Sequence, residues 1–109
     1  MDWIKEFPAA ITVCDRQGIV IDMNEKACAT FADEGGAKLI GHSLQDCHKP
    51  ESWAKIQAMI ATGTANTYTI KKNGIHKLIH QQPWFKNGEV AGVVEMSIEL
   101  PQEMQHHVR

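Results

Sequence analysis

Residues 39–60 read Leu-Ile-Gly-His-Ser-Leu-Gln-Asp-Cys-His-Lys-Pro-Glu-Ser-Trp-Ala-Lys-Ile-Gln-Ala-Met-Ile, and the rest of the chain is arranged around this stretch. Pro50 and Glu51 predict the first turn of a helix, because proline fixes a helical φ where no amide donor is needed and a carboxylate suits the positive end of the helix dipole. Apolar residues at 53, 56, 59 and 60 share one face of that helix, and Gly63 marks its end. We interpret the stretch as the wall of a pocket on a sheet, or as a lid with nothing beneath it.

Strand patterns flank this helical insert on both sides. Residues 10–15 and 19–23 are two β-branched runs around a glycine turn, which predicts a hairpin. Asn24 predicts the N-cap of a helix over residues 25–31. Three further strands follow the insert and are joined by two Asn-Gly pairs, the strongest short hairpin signal: residues 66–72, 75–85 and 89–100. This order predicts an α+β fold, a five-stranded antiparallel sheet with helices inserted between strands 2 and 3 covering one face.

The last predicted strand alternates between two sets of side chains. Its even-numbered positions from Val90 to Leu100 are apolar or glycine, whereas the odd-numbered positions include Glu95, Ser97 and Glu99. Because successive side chains point to opposite faces of a strand, we expect the even-numbered side to be buried beneath the helices.

The two ends of the chain differ in character from its middle. Residues 1–8 predict a short N-terminal helix with Trp3, Ile4 and Phe7 as its apolar stripe. Because so short a helix is not stable alone, we expect these three residues to contact the domain or a second subunit. Residues 9–101 form the main domain, and residues 102–109 are a polar tail without a packing pattern.

Composition excludes several classes of protein. A net charge of -2 with no long run of lysine or arginine excludes a basic surface for nucleic acid or an anionic membrane. The three cysteines are widely spaced, which excludes a disulfide framework and favours a reducing, cytoplasmic location. The N-terminus carries charges within its apolar pattern and predicts neither a signal peptide nor a membrane span. After Pro101 no kinase, cyclase or DNA-binding segment follows, so we expect either a piece of a longer signalling protein or a free-standing domain.

The order and spacing of several short motifs resemble a PAS domain, or sensory box, over about residues 7 to 100. The motifs are Phe7-Pro8-Ala9-Ala10-Ile11, Asp15-x-x-Gly18, Met23-Asn24-Glu25-Lys26-Ala27, Leu39-Ile40-Gly41-His42-Ser43-Leu44 and Pro83-Trp84-Phe85-Lys86-Asn87-Gly88-Glu89-Val90-Ala91-Gly92-Val93. The resemblance implies the sheet order 2-1-5-4-3 and a cavity between sheet and helices that holds haem, flavin, a small metabolite or only side chains. It also implies an output through a kinase, cyclase or transcription module.

Cys47-His48-Lys49-Pro50 resembles the Cys-His-x-Pro element that precedes the long helix in some PAS domains. The resemblance implies that His48 could ligate haem iron, with Met96 as a soft opposing ligand. In the alternative interpretation, His48 orients the loop by hydrogen bonding and Met96 is ordinary core. The cofactor is therefore unknown, with haem as one candidate.

Other chemistry receives less support from the sequence. The Asn-Cys-Arg element of flavin photoreceptors is absent, and Tyr68, the only tyrosine, does not match the chromophore site of photoactive yellow proteins. His76 and His80 would lie roughly 13 Å apart in a strand, too far to share one metal ion. No serine has a glycine elbow around it, so we expect no enzymatic activity.

These observations predict a sensory signal-input domain that binds a small ligand or cofactor and acts on an effector domain or signalling partner as a homodimer. The predicted cavity is lined by Phe31, Leu44, Cys47, His48, Ile56, Ile60, Val94 and Met96. The alternative is a ligand-free dimerisation module that uses Trp3, Ile4, Phe7 and the outer face of the sheet.

Overall fold

A computed structural model describes residues 2–109, which form one β-sheet and a layer of helices packed against it. The five strands are β1 Ala10–Asp15, β2 Val20–Met23, β3 Asn66–Lys72, β4 Ile75–Lys86 and β5 Glu89–Leu100. They pair antiparallel in the order β2-β1-β5-β4-β3, which confirms the predicted sheet. In both Asn-Gly turns the asparagine has a φ of 53°, and the glycine has a φ of 78° or 79°. Two consecutive positive φ values characterise the type I′ turn that these dipeptides predict.

The helices found within residues 2–109 all lie between β2 and β3, where the predicted fold inserts its helical layer. They are α1 Glu25–Thr30, α2 Leu44–Cys47 and α3 Pro50–Thr62, with short 3-10 turns over Ala32–Glu34 and Gly36–Leu39. Asn24 and Ser43 cap α1 and α2 with side-chain oxygens, and Gly63 ends α3 in the left-handed conformation at a φ of 69°. No helix within residues 2–109 is both long and apolar enough to cross a membrane.

The face of β5 that the helices cover differs from the prediction. Val93 belongs to the buried cluster with residues of α3, whereas Val94 and Met96 are only half-buried. A β-bulge explains the error: Trp84 pairs with Gly92 but Phe85 pairs with Val90, so β5 carries one extra residue there. The even-numbered Val90 therefore packs against the same core as the odd-numbered Val93. From Val93 onward the odd-numbered side faces the helices.

The core consists of two buried clusters beneath the helical layer. One contains Cys14, Ile56, Met59, Ile60 and Val93, and the other contains Ala10, Val20, Met23 and Ala27. Leu44 packs against both clusters and joins them. The space between α2, α3 and the central strands is therefore walled by core residues.

The N-terminal segment is a turn and not the predicted helix. The amide of Phe7 donates to the carbonyl of Ile4 at 3.2 Å, and no regular helix forms in the described residues of this segment. The Asn24 side chain binds the carbonyls of Ile4 and Phe7, and the Glu25 amide binds that of Lys5, so these carbonyls accept bonds from outside the segment. Met1 lies outside the described residues. At the other end, residues 102–109 are exposed and irregular, as the sequence predicts.

Candidate functional site

A cavity of about 570 Å³ lies between the helical layer and the inner face of the sheet. Its walls combine buried apolar side chains with polar groups from both layers. The lining residues are Thr12, Cys14, Val20, Met23, Phe31, Glu34, Leu39, His42, Leu44, Cys47, His48, Ser52, Lys55, Ile56, Asn66, Tyr68, Gln81, Val93 and Glu95. The cavity is thus large enough for a small organic molecule, since ligand pockets occupy about 300–1,000 Å³.

A chain of three polar side chains crosses the sheet side of the cavity. The Asn66 amide nitrogen donates to Gln81 Oε1 at 3.0 Å, and Gln81 Nε2 donates to Glu95 Oε2 at 2.9 Å. These residues sit on adjacent strands, because Asn66 pairs with Gln81 and Gln81 pairs with Glu95 in the antiparallel register. The chain fixes one carboxylate oxygen of Glu95 at the cavity wall.

The second oxygen of the Glu95 carboxylate has no side-chain hydrogen bond within residues 2–109. The single ion pair among those residues joins Lys26 of α1 to Glu99 of β5. Glu99 is on the same strand as Glu95 but does not line the cavity. Glu95 therefore lines the cavity with a half-buried side chain that makes one side-chain hydrogen bond and no ion pair within residues 2–109.

Tyr68 lies beside this carboxylate on the inner face of β3. Burial, and after it the negative charge of Glu95, raises the pKa of the Tyr68 phenol. The hydroxyl group therefore stays protonated at neutral pH and can donate or accept a hydrogen bond at the edge of the cavity.

On the helical side, His48 is the polar residue with the best-defined orientation. Its Nδ1 lies 2.9 Å from the Leu44 carbonyl oxygen and 3.4 Å from the sulfur of Cys47. Since a carbonyl only accepts, the neutral ring carries its proton on Nδ1 and keeps a lone pair on Nε2.

Cys47 is exposed at the same wall. Burial, and to a smaller degree the charges of Asp46 and Glu34, raises the pKa of its thiol. A raised pKa means less thiolate at neutral pH, so the residue does not have the properties of an activated nucleophile.

The structure places five of the eight predicted lining residues at the cavity, namely Phe31, Leu44, Cys47, His48 and Ile56. Ile60 is buried in the core cluster and does not line the cavity. Val94 and Met96 lie on the opposite side of β5 from the cavity residues Val93 and Glu95, because the bulge reverses the expected alternation.

The residues missed by sequence reasoning are mainly the polar ones on the sheet: Thr12, Asn66, Tyr68, Gln81 and Glu95. Glu95 did carry a signal. It is the one charged residue in the otherwise apolar or small run from Gly92 to Ile98, and a charge in a central strand needs a partner or a function.

The charged wall of the cavity, and not the number of axial ligands, makes it a poor fit for haem. His48 has a free Nε2 and could serve as the single axial ligand that haem iron requires, whereas Met96 lies on the other face of the sheet and cannot be the opposing ligand. The Glu95 carboxylate would also face a largely apolar macrocycle without compensation. Among residues 2–109, no group of three or more His, Cys, Asp or Glu side chains is arranged to hold a metal ion.

Comparison with known proteins agrees with this architecture. The sequence pattern of the family described as PAS fold matches residues 4–104. No curated protein matches the chain at a significant level.

Three solved structures illustrate the structural similarity. The Aer2 receptor of Vibrio cholerae, described as a dual PAS-heme oxygen sensor, is 15% identical with a TM-score of 0.67, over 85% of this chain and 95% of that one. VqmA bound to DPO is 16% identical with a TM-score of 0.70, over 90% and 54%. The PAS domain of an HTR-like protein from Haloarcula marismortui is 17% identical with a TM-score of 0.63, over 91% and 87%. The family match, together with the strand order and the helical insert, establishes that this chain belongs to the PAS fold family.

Proposed function

We propose that this chain is a signal-input domain that binds a small molecule in the cavity between sheet and helices and acts on a partner or effector domain. The observation that carries the proposal is the half-buried Glu95, which lines the cavity, has one carboxylate oxygen held by Gln81 and makes no ion pair within residues 2–109. A carboxylate that lines a partly apolar cavity and has no ion-pair partner within residues 2–109 favours a ligand that brings a hydrogen-bond donor or a positive charge. Close-packed interiors contain few voids larger than a water molecule, which also favours an occupant for a cavity of about 570 Å³.

Two of the structural neighbours support the same role by analogy. One is described as a PAS-heme oxygen sensor and another is bound to DPO, so in those proteins the fold is associated with a ligand. At 15% and 16% identity the ligand of neither neighbour transfers to this chain.

A route for the signal begins at Met23, which lines the cavity. The next residue, Asn24, binds the carbonyls of Ile4, Phe7 and Ala9 through its side-chain amide and caps α1 with its oxygen. A ligand that displaces the end of β2 therefore changes the hydrogen bonds that hold the N-terminal segment. We propose this segment as the element that transmits binding to a partner.

The test is a thermal-shift screen of small molecules against the wild type and a cavity-filling variant, Thr12→Trp. Thr12 lines the cavity, whereas Thr69→Trp places the same indole on an exposed strand position outside it. We expect compounds that raise the Tm of the wild type and of Thr69→Trp but not of Thr12→Trp. Stabilisation that is equal in all three proteins, or none from any compound, would refute the proposal. Circular dichroism of both variants establishes that they are folded.

For haem we expect no specific complex. After haem is added, the absorbance spectrum between 300 and 700 nm should show no Soret band that depends on His48. The matched comparison is His48→Ala against His42→Ala, since His42 also lines the cavity but at an exposed position. A sharp Soret band that is lost only in His48→Ala would make haem the ligand.

A second function, dimerisation, is favoured by apolar surface outside the cavity. Trp3 and Phe7 are 60% and 40% exposed, and their rings form an edge-to-face pair with centroids 5.6 Å apart. The outer face of the sheet adds half-buried Val94, Met96 and Ile98. Apolar surface of this kind outside the cavity favours a second copy of the chain as its partner.

The test of dimerisation uses substitutions and not deletion of residues 1–7. Deletion would remove the carbonyls bound by Asn24 and would destabilise the domain for an unrelated reason. We expect Met96→Lys to convert a dimer to a monomer in sedimentation equilibrium, whereas Ile40→Lys, at a residue 42% exposed on the helical side, leaves the mass unchanged. A wild-type protein that is monomeric at millimolar concentration would refute this function.

A further inference from the structure

The cavity joins three kinds of surface that together restrict the chemistry of its ligand. Its interior is apolar at Cys14, Ile56 and Val93, which belong to one buried cluster. Its sheet side carries the Glu95 carboxylate with one open oxygen. Its edge carries Tyr68, whose hydroxyl lies among the same lining residues. A ligand that fits must bring an apolar body and a group that suits a carboxylate.

We propose that the ligand is a small organic cation, a protonated amine or amidinium attached to an apolar body, with its N–H groups on Glu95. This inference rests on the proposed function, because it assigns the ligand class of the same cavity.

The hydrogen-bond direction in the polar chain supports a donor ligand. Asn66 donates to Gln81, and Gln81 donates to Glu95, so every protein bond in the chain runs toward the carboxylate. Carboxylate oxygens accept hydrogen bonds, so a ligand that contacts the remaining oxygen has to supply the donor. An anionic group placed there would meet the carboxylate at close range without a proton to share.

The charge balance around the cavity supports a cation over a neutral donor. Within residues 2–109, no Lys, Arg or His nitrogen lies within 4.0 Å of Glu95, so the protein itself does not neutralise it. Lys55 of α3 also lines the cavity, but its exposed side chain makes no ion pair with Glu95. Opposite charges attract more strongly in a partly buried site than in bulk water, so a cation gains Coulomb energy there that a neutral donor does not.

The apolar residues of the cavity determine which shapes the apolar part of the ligand can have. Ile56 of α3 and Val93 of β5 are each 5% exposed, belong to one buried cluster and both line the cavity, as does Phe31 at the end of α1. A flat ring or a short branched chain would contact both layers while its cationic end reaches the sheet.

The experiment compares three probes of nearly equal shape by isothermal titration calorimetry: benzamidine, which is cationic, benzamide, which is neutral, and benzoate, which is anionic. Each is titrated into the wild type, Glu95→Gln and Glu99→Gln. The last variant removes the same charge from the same strand at a 52% exposed side chain outside the cavity.

We expect benzamidine to bind the wild type and Glu99→Gln at least tenfold more tightly than benzamide, with benzoate not binding. In Glu95→Gln the preference for benzamidine over benzamide should disappear. If benzamide or benzoate binds the wild type as tightly as benzamidine, the cationic assignment is wrong while the proposed binding function stands. If none of the three probes binds, the cationic assignment is also wrong, and the Thr12→Trp screen decides the proposed function separately. If benzamidine binds Glu95→Gln as tightly as the wild type, Glu95 is not its partner.

Discussion

Replacing Asn24 with alanine should destabilise this domain more than any other single N-cap substitution. The Asn24 side chain is 4% exposed and makes five hydrogen bonds. Its oxygen accepts from the amides of Ile11 and Ala27 at 3.0 Å each, and its nitrogen donates to the carbonyl of Ala9 at 2.8 Å. Alanine leaves these buried backbone groups without partners.

The magnitude follows from the number of buried groups. An unsatisfied buried donor or acceptor costs about 1–3 kcal/mol, so two amides and one carbonyl give roughly 3–9 kcal/mol. The matched control is Ser43→Ala, because Ser43 caps α2 with one exposed hydrogen bond to the Gln45 amide at 3.1 Å. Losing that cap should cost about 1 kcal/mol.

The assay is urea unfolding followed by tryptophan fluorescence, with the free energy of unfolding extrapolated to water. Because small domains have total stabilities of only about 5–15 kcal/mol, Asn24→Ala should lie close to the unfolding threshold. If Asn24→Ala and Ser43→Ala lose the same free energy, the reasoning that makes Asn24 a junction of the fold is refuted.

Three further predictions concern the site and the turns. Glu95→Gln should lower the pKa of Tyr68 toward its ordinary value without fully restoring it, because burial is the larger cause; absorbance titration of the single tyrosine checks this, and an unchanged pKa contradicts it. Thiol labelling of the native protein should have one fast phase that Cys47→Ser removes, because Cys47 is the exposed cysteine; a fast phase that persists contradicts this. Gly18→Ala should cost about 1–3 kcal/mol more than Gly88→Ala in urea unfolding. Both glycines have a φ of 79°, but only at Gly18 would a Cβ lie 2.5 Å from an indole ring; equal losses would contradict the steric argument.

Much of the fold could be predicted because local signals agree with one another. The two Asn-Gly turns fix the β3-β4-β5 meander, and Asn24, Pro50 and Gly63 mark helix ends by backbone chemistry that does not depend on tertiary packing. The bounds of β3 and β5 are those expected from residues 66–72 and 89–100. Local backbone chemistry was therefore sufficient to predict the strands, the ends of α1 and α3, and their order along the chain.

The side of β5 that faces the helices could not be predicted, since both of its faces carry apolar residues. The deciding feature is the bulge opposite Trp84 and Phe85, which is a property of strand pairing. At Gly92 a Cβ would lie 2.7 Å from Trp84 Nε1, which donates to the Cys14 carbonyl. Sequence alone gives no measure of this cross-strand contact.

The predicted N-terminal helix failed for a related reason. The pattern of Trp3, Ile4 and Phe7 has helical spacing, but the carbonyls of this segment bond to Asn24 and Glu25 from another part of the chain. Long-range hydrogen bonds of this kind override local propensity in a segment too short to be a stable helix.

The residues of the candidate site also fall into a predicted group and a missed group, according to whether local sequence or strand pairing places them. Those on the helical side, such as Leu44 and His48, follow from the motif before α3 and were predicted. Those on the sheet, such as Gln81 and Glu95, depend on the register between strands and were missed.

The central claim is that the cavity, and not the outer face of the sheet, binds the ligand. The most direct measurement is a methyl NMR titration of the wild-type protein with benzamidine. Ile56 and Val93 report on the cavity, and Ile98 reports on the outer face. We predict saturable shifts of the Ile56 and Val93 methyl groups with Ile98 unchanged. Saturable shifts confined to Ile98 would contradict the account, whereas no shift of any of these methyl groups would refute only the cationic ligand.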